Sequence, residues 1–171
     1  MQIEIPFYHI LNDFLVGLIF IIGYSCIFPK AIIEMMRNEA FISLVGDTKS
    51  IYLISFLAIA YEVGLIINRI GSVFLEKLLK RIKFIYFNDN YKKFNICKKE
   101  FPILGDISRE YALSRTSIIL FMVLTVLALV SGAYVLSTVL FMVTIIFLFS
   151  VRKYSKKIID IMDKYEPKEN R

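Results

Sequence analysis

Three long apolar runs separated by charged segments define the pattern of the chain. The longest run, 116–151, has 36 consecutive residues without a charged side chain. A single helix needs about 20 apolar residues to cross a bilayer, so this run predicts two helices. Ser131 and Gly132 lie near its middle, where a tight turn is required. We therefore predict a hairpin of two spans, at about 115–131 and 134–151.

The other two apolar runs are less regular. The run at about 50–70 begins with uncharged residues and then includes polar or small residues, namely Glu62, Gly64, Asn68 and Arg69. The run at about 10–29 carries Asp13 near its start, and its uncharged core, 14–28, is only 15 residues long, which is short for a span. We predict that both runs cross the bilayer, and three spans remain if the first run does not.

The composition supports a membrane protein. Apolar residues make up 57% of the 171 residues and charged residues 21%, against about 45–50% and about 25% in soluble domains. Mean hydropathy is +0.65. The predicted fold class is therefore an all-α integral membrane protein that forms a single membrane domain, 1–171. A basic helical cytoplasmic module at 71–114 separates spans two and three, and a cytoplasmic tail occupies 152–171.

Basic residues are distributed unevenly between the two sides of the predicted membrane domain. With four spans, the N-terminus, the 69–115 connection and the tail carry 18 Lys and Arg, whereas the other side carries 3. Lys and Arg accumulate on the cytoplasmic side, so both termini are predicted to be cytoplasmic. The first run alone would orient the other way, since only Lys30 and Arg37 flank it. Abundant Ile, Lys, Asn, Phe and Tyr indicate an AT-rich genome, which favours the bacterial cytoplasmic (inner) membrane.

Residues 73–87 have the pattern of a basic amphipathic helix. Its apolar residues recur at spacings of three and four, and much of its remaining surface is basic, with Lys77, Lys80, Arg81 and Lys83. The helix is expected either to extend the second span or to bend onto the bilayer at Gly71. We expect the basic face to bind anionic lipid headgroups. A docking site for a soluble cytoplasmic protein or a neighbouring subunit is the alternative, and nucleic acid is not an expected partner.

The second half of the module is predicted to begin with a loop. Residues 88–105 combine turn-forming residues, several lysines and a stop at Pro102. A helix capped by Asp106 is expected to follow and to continue through Arg115 into the third span.

Five polar residues are candidates for an intramembrane cluster near the cytoplasmic side: Asp13, Glu62, Asn68, Arg69 and Arg115. Glu62 is the principal candidate, because a charge near the bilayer centre costs roughly 2.5–3.5 kcal/mol on insertion scales. We expect Glu62 to face other helices, to be protonated, or to pair with a cation such as Arg115. Two roles stay open for the cluster: an ion-pair network that fixes helix packing, or a proton or ion site.

Motifs for catalysis and metal binding are missing from the sequence. It contains no HExxH, GxSxG, Walker A or GxGxxG pattern. The two cysteines, Cys26 in an apolar run and Cys97 in a basic segment, provide neither a disulfide framework nor a zinc site. We therefore expect no enzymatic activity, no metal and no cofactor.

Three functions are compatible with this architecture. The first is an oligomeric pore-forming or membrane-perturbing effector controlled through the basic module, as used in bacterial stress or antiviral defence. Four short helices cannot enclose a wide aqueous path alone, so a homo-oligomer is implied, and Gly17, Gly23 and Gly64 are positions of close helix approach. The second is a membrane anchor or regulatory subunit for a soluble protein. The third is a small proton-coupled transporter that uses Glu62.

Overall fold

The structure, a computed structural model, describes residues 7–37, 49–86 and 91–164. Within these ranges the chain forms only helices and their connections. The helices are α1 (Phe7–Ile27), α2 (Pro29–Arg37), α3 (Lys49–Ile70), α4 (Glu76–Arg81), α5 (Tyr91–Glu100), α6 (Ile103–Val130) and α7 (Tyr134–Lys164), and a π turn (Gly71–Leu75) joins α3 to α4.

Over the residues that the structure describes, four helical segments are long and apolar enough to cross a membrane. One is α1, and a second runs without a break from α3 through the π turn into α4. The other two are α6 and α7. The predicted all-α class and the four candidate spans are confirmed on this basis. The first predicted span ends too late, because α1 ends at Ile27 and Pro29 begins α2; proline favours the first position of a helix.

Two antiparallel helix pairs form the bundle, α1 with α3 and α6 with α7, and α6 also contacts both α1 and α3. Gly17 and Gly64 meet where α1 crosses α3. A Cβ atom on Gly17 would lie 1.6 Å from the Ala60 carbonyl oxygen, and one on Gly64 would lie 1.7 Å from that of Asp13. The two backbones touch only because both residues lack a side chain.

The glycines therefore allow close helix approach as predicted, but within one chain. Gly17 packs against the backbone of α3, and Gly64 packs against the backbone of α1. Gly23 lies against the Leu124 side chain of α6. These contacts join helices of the same chain.

The predicted hairpin turn lies at Ser131 and Gly132. The Gly132 amide donates to the Leu129 carbonyl at 3.1 Å and the Ala133 amide donates to the Ala128 carbonyl at 2.9 Å. This is the Schellman pattern of helix ends. It requires a left-handed residue, and Gly132 supplies it with φ +79°.

The end of the bundle opposite this turn, here called the module end, contains more helix than expected. It consists of α4, residues 82–86, α5, the first turns of α6 and the last turns of α7. The predicted loop at 88–105 is wrong over Tyr91–Glu100, which is α5. Cys97 of α5 is fully buried and packs with Leu104 and Met162. The predicted tail is part of this end up to Lys164, and the last residues, 165–171, lie outside the described ranges.

The amphipathic segment continues the helix of the second candidate span, which is one of the two predicted alternatives. The helix ends at Arg81, whereas the predicted helix extends to residue 87. A second Schellman pattern ends α4, with Lys83 at φ +55° and the Phe84 amide donating to the Leu79 carbonyl at 3.0 Å. Residues 82–86 are therefore not helical, contrary to the prediction. Ile85 is buried, and the Arg152 guanidinium lies 5.3 Å from the Phe84 ring centre, which holds this segment against α7.

The N-terminus of α6 also differs from the prediction. Asp106 does not cap the helix, because α6 begins at Ile103 after Pro102 and no side chain caps it. Asp106 instead lies in the first turn and pairs with Arg109 at 3.1 Å. The continuity of α6 through Arg115 is as predicted.

Candidate functional site

A hydrogen-bonded polar group joins three helices near the module end. The Asn68 amide on α3 donates to the Asp13 carboxylate on α1 at 2.8 Å. On α6, the Thr116 hydroxyl lies 3.1 Å from Asn68 Oδ1 and 2.9 Å from the Ala112 carbonyl oxygen. Asp13 and Thr116 are both buried. Because buried polar groups are costly unless they are hydrogen-bonded, this group fixes the relative positions of α1, α3 and α6.

An ion pair lies next to this group. The Arg115 guanidinium on α6 donates to the Glu76 carboxylate on α4, and only 13% of the Arg115 side chain and 15% of the Glu76 side chain are exposed. Lys80 also pairs with Glu76, at 3.2 Å, and Arg115 lies 5.9 Å from the centre of the Tyr111 ring. Breaking a largely buried ion pair by removing one partner leaves an uncompensated charge.

The π turn places Glu76 in this position. An α-helix bonds each amide to the fourth residue before it, whereas the Glu76 amide donates to the Gly71 carbonyl five residues earlier. The extra residue rotates the helix that follows, and such turns are frequent at functional sites. Gly71 packs on the Arg115 backbone and Ile119 without crowding.

Two cavities meet at Arg115. The first, of about 380 Å³, is lined by Asp13, Asn68, Arg69, Arg115 and neighbouring residues of α1 and α3; we call it the polar groove. The second, of about 260 Å³, lies among α4, α5, α6 and α7 and is lined mainly by apolar side chains together with Glu76 and Arg115; we call it the module cavity. Arg115 therefore lines both the polar groove and the module cavity, and its partner Glu76 lines the module cavity.

The structure brings together four of the five residues of the predicted cluster. Asp13, Asn68, Arg69 and Arg115 line one groove. Glu62 does not line it. The Glu62 side chain is exposed on the outer face of α3, so it faces no other described helix of this chain. Arg115, the cation suggested for it, instead pairs with Glu76.

The four predicted binding residues of the module differ in their surroundings. Lys77, Arg81 and Lys83 are exposed. Lys80 is partly buried and pairs with Glu76. The exposed apolar residues Leu78 and Ile82 lie among them, so the outer surface of this segment is both basic and apolar.

Cys97 has no chemical role that its surroundings support. Burial raises the pKa of its thiol, and Glu100 adds to this, while Lys93 acts in the opposite direction. A thiol with a raised pKa is a poor nucleophile and metal ligand. Over the described residues, no group of three His, Cys, Asp or Glu is arranged to hold a metal ion.

Two residues of the site were missed from the sequence. The sequence pointed to Thr116, because this polar residue directly follows Arg115 at the start of the charge-free run. It also pointed to Glu76, because Glu76 is an acid in a strongly basic segment. The hydrogen-bond partners of both residues could not be predicted, since they depend on which helices are neighbours.

No protein-family model, curated protein or solved structure matches this chain.

Proposed function

We propose that the protein is an oligomeric pore-forming or membrane-perturbing effector that is controlled from its basic module. The observation that carries the proposal is the position of Arg115, which lines both the polar groove and the module cavity and pairs with Glu76 on the side of the module cavity. In this proposal the closed state keeps the pair intact. A signal that displaces Glu76 from Arg115 opens the groove to the cytoplasmic side.

The proposed setting is the bacterial cytoplasmic membrane, with α1, α3, α6 and α7 inserted and both termini in the cytoplasm. The excess of basic residues at the module end supports this orientation. The outer halves of the helices are almost entirely apolar, so a conducting path requires contributions from several copies. Service in a bacterial stress or antiviral response is consistent with such an effector.

Membrane potential in living bacteria tests this proposal. Wild type, Glu76→Gln and Glu110→Gln are expressed at matched levels, and a potential-sensitive dye is followed. Glu110 is the control, because it is an exposed acid on α6 near Arg115. We expect Glu76→Gln to depolarise the cells more than wild type or Glu110→Gln. Unchanged potential in all three strains, with the proteins in the membrane fraction, would count against the proposal.

A second candidate is an anchor or regulatory subunit for a soluble protein. The exposed bases Lys77, Arg81 and Lys83 favour it, because their charges are accessible to a partner. Anionic lipid headgroups would bind the same surface. The anchor hypothesis predicts that replacing all three bases with Gln abolishes function while Glu76→Gln has no effect, and the effector hypothesis predicts that Glu76→Gln changes function even with the bases intact.

A proton-coupled transporter that uses Glu62 is the third candidate. Within one chain it has less support, because Glu62 is exposed and does not line the polar groove. It would require another copy to bring Glu62 into a path.

A further inference from the structure

Glu62 lies at the middle of the bundle along its length. Gly17 is the central residue of the 21-residue helix α1, and it packs between Ala60 and Gly64 of α3. Glu62 is therefore level with the midpoint of α1. In the proposed membrane orientation, on which this inference rests, its exposed carboxyl faces the hydrocarbon centre of the bilayer.

Within a single chain, the carboxyl group of Glu62 has no polar or charged partner among the described residues. No hydrogen bond or ion pair joins Glu62 to another part of the described chain. Arg69 is the next base on the same face, but seven residues correspond to about 10.5 Å along a helix. Polar side chains in the hydrocarbon region face protein or water rather than lipid. A protein surface or a water-filled path therefore has to cover this face, and the first needs no opening of the membrane.

We propose that a second copy of this chain covers the Glu62 face of α3, and that the two Glu62 carboxyls hydrogen-bond to each other. The strong asymmetry of Lys and Arg gives every copy the same orientation in the membrane. A twofold axis between such copies must be normal to the membrane, and it places each residue at the same depth as its equivalent.

The composition of this face suits a helix contact. A stripe along α3 at spacings of three and four consists of Ser55, Ala58, Glu62, Ile66 and Arg69. Small residues at 55 and 58 allow the two α3 helices to approach, and Ile59 and Ile66, which are 48% and 55% exposed, would seal the carboxyl pair from lipid. The proposed contact between copies thus uses Ser55 and Ala58, whereas the contact between α1 and α3 within one chain uses Gly17 and Gly64.

Disulfide crosslinking of the purified full-length chain tests the proposal. Single cysteines are introduced as Ile59→Cys or Ile66→Cys in a Cys26→Ser background that keeps the buried Cys97. The variants are placed in phosphatidylethanolamine–phosphatidylglycerol vesicles at a low protein-to-lipid ratio and oxidised. Ile146→Cys on α7 is the control, because Ile146 is 63% exposed on a different helix.

We expect crosslinked dimers from Ile59→Cys and Ile66→Cys but not from Ile146→Cys. Adding Glu62→Leu is expected to lower the dimer yield roughly tenfold, in line with the loss of interhelical hydrogen bonds. Glu62→Gln is expected to keep most of the yield, since an amide also hydrogen-bonds across the axis. No dimer at either α3 position, equal crosslinking at Ile146→Cys, or a yield unaffected by Glu62→Leu would overturn the proposal.

The result is separable from the proposed function. Dimers that depend on Glu62 without any ion leak would support this interface and contradict the pore. An ion leak without such dimers would support the pore and contradict this interface.

Discussion

Arg115 donates a hydrogen bond to Glu76, a residue 39 positions earlier in the chain that lies just beyond the π turn. The pair connects α6, the central helix of the bundle, to the helix that leaves the bundle toward the module end. Both side chains are largely buried, so their interaction is screened less by salt than that of a surface pair. A change in the module that moves α4 therefore acts directly on a helix of the bundle.

The contact between Gly17 and Gly64 is expected to be intolerant of any side chain. Gly17→Ala or Gly64→Ala places a Cβ within 2 Å of a backbone oxygen, so the helices must separate. We expect a loss of about 1–3 kcal/mol or more in unfolding free energy, measured by denaturation in detergent micelles. Gly105→Ala on α6 is the control, since its Cβ would meet only the flexible end of Lys98. Equal stability of Gly17→Ala and Gly105→Ala would contradict the helix crossing described here.

Asn68 is expected to stabilise the bundle through Asp13. Asn68→Ala leaves the buried Asp13 carboxylate without its donor, which should cost about 1–3 kcal/mol. The double variant Asp13→Ala with Asn68→Ala should cost less than the sum of the two single variants, because no unpaired carboxylate remains. A double-mutant cycle in micelles measures this coupling. Additive losses would show that the two residues do not interact.

Cys97 is expected to be chemically protected. Its burial and raised pKa predict slow reaction with a water-soluble maleimide, whereas Asn95→Cys, an exposed position on the same helix, should react rapidly. Labelling in a Cys26→Ser background compares the two rates. Equal rates would show that α5 is not packed on α6 and α7.

The same thiol predicts the direction of a pH effect on stability. The folded protein holds the Cys97 proton more tightly than the unfolded chain does, because burial raises the pKa of the thiol. Its contribution is therefore fully present below the ordinary thiol pKa and is lost as the pH rises past it. Cys97→Ala should lessen this alkaline loss of stability in a denaturation series, and an identical alkaline loss in both proteins would contradict the assignment.

The sequence predicted those parts of the fold that depend on local pattern. The hairpin at Ser131–Gly132 follows from a charge-free run too long for one span and a glycine suited to a left-handed turn. The end of α4 could not be predicted in this way, because Lys83 adopts a positive φ that lysine rarely takes. That conformation is held by Ile85 and by the contact of Phe84 with Arg152, which is distant in sequence.

The candidate site was predictable in composition but not in pairing. Asp13, Asn68, Arg69 and Arg115 share a groove because all four lie at the same level of neighbouring helices. Which acid meets Arg115 depends on helix rotation, and the π turn sets that rotation for Glu76. Helix α5 was predicted as a loop because its lysines and preceding turn residues outweigh its apolar positions. It packs as a helix through Cys97, whose contacts Leu104 and Met162 come from α6 and α7.

Ion leak from vesicles with a charge exchange at Glu76 and Arg115 tests the central claim most directly. Wild type, Glu76→Arg and the double variant Glu76→Arg with Arg115→Glu are compared at equal protein content. We predict that Glu76→Arg leaks faster than wild type, since two adjacent cations hold the groove open. The double variant should return to the wild-type rate, because the ion pair is restored with reversed polarity. Equal leak rates for all three proteins would contradict control through this pair.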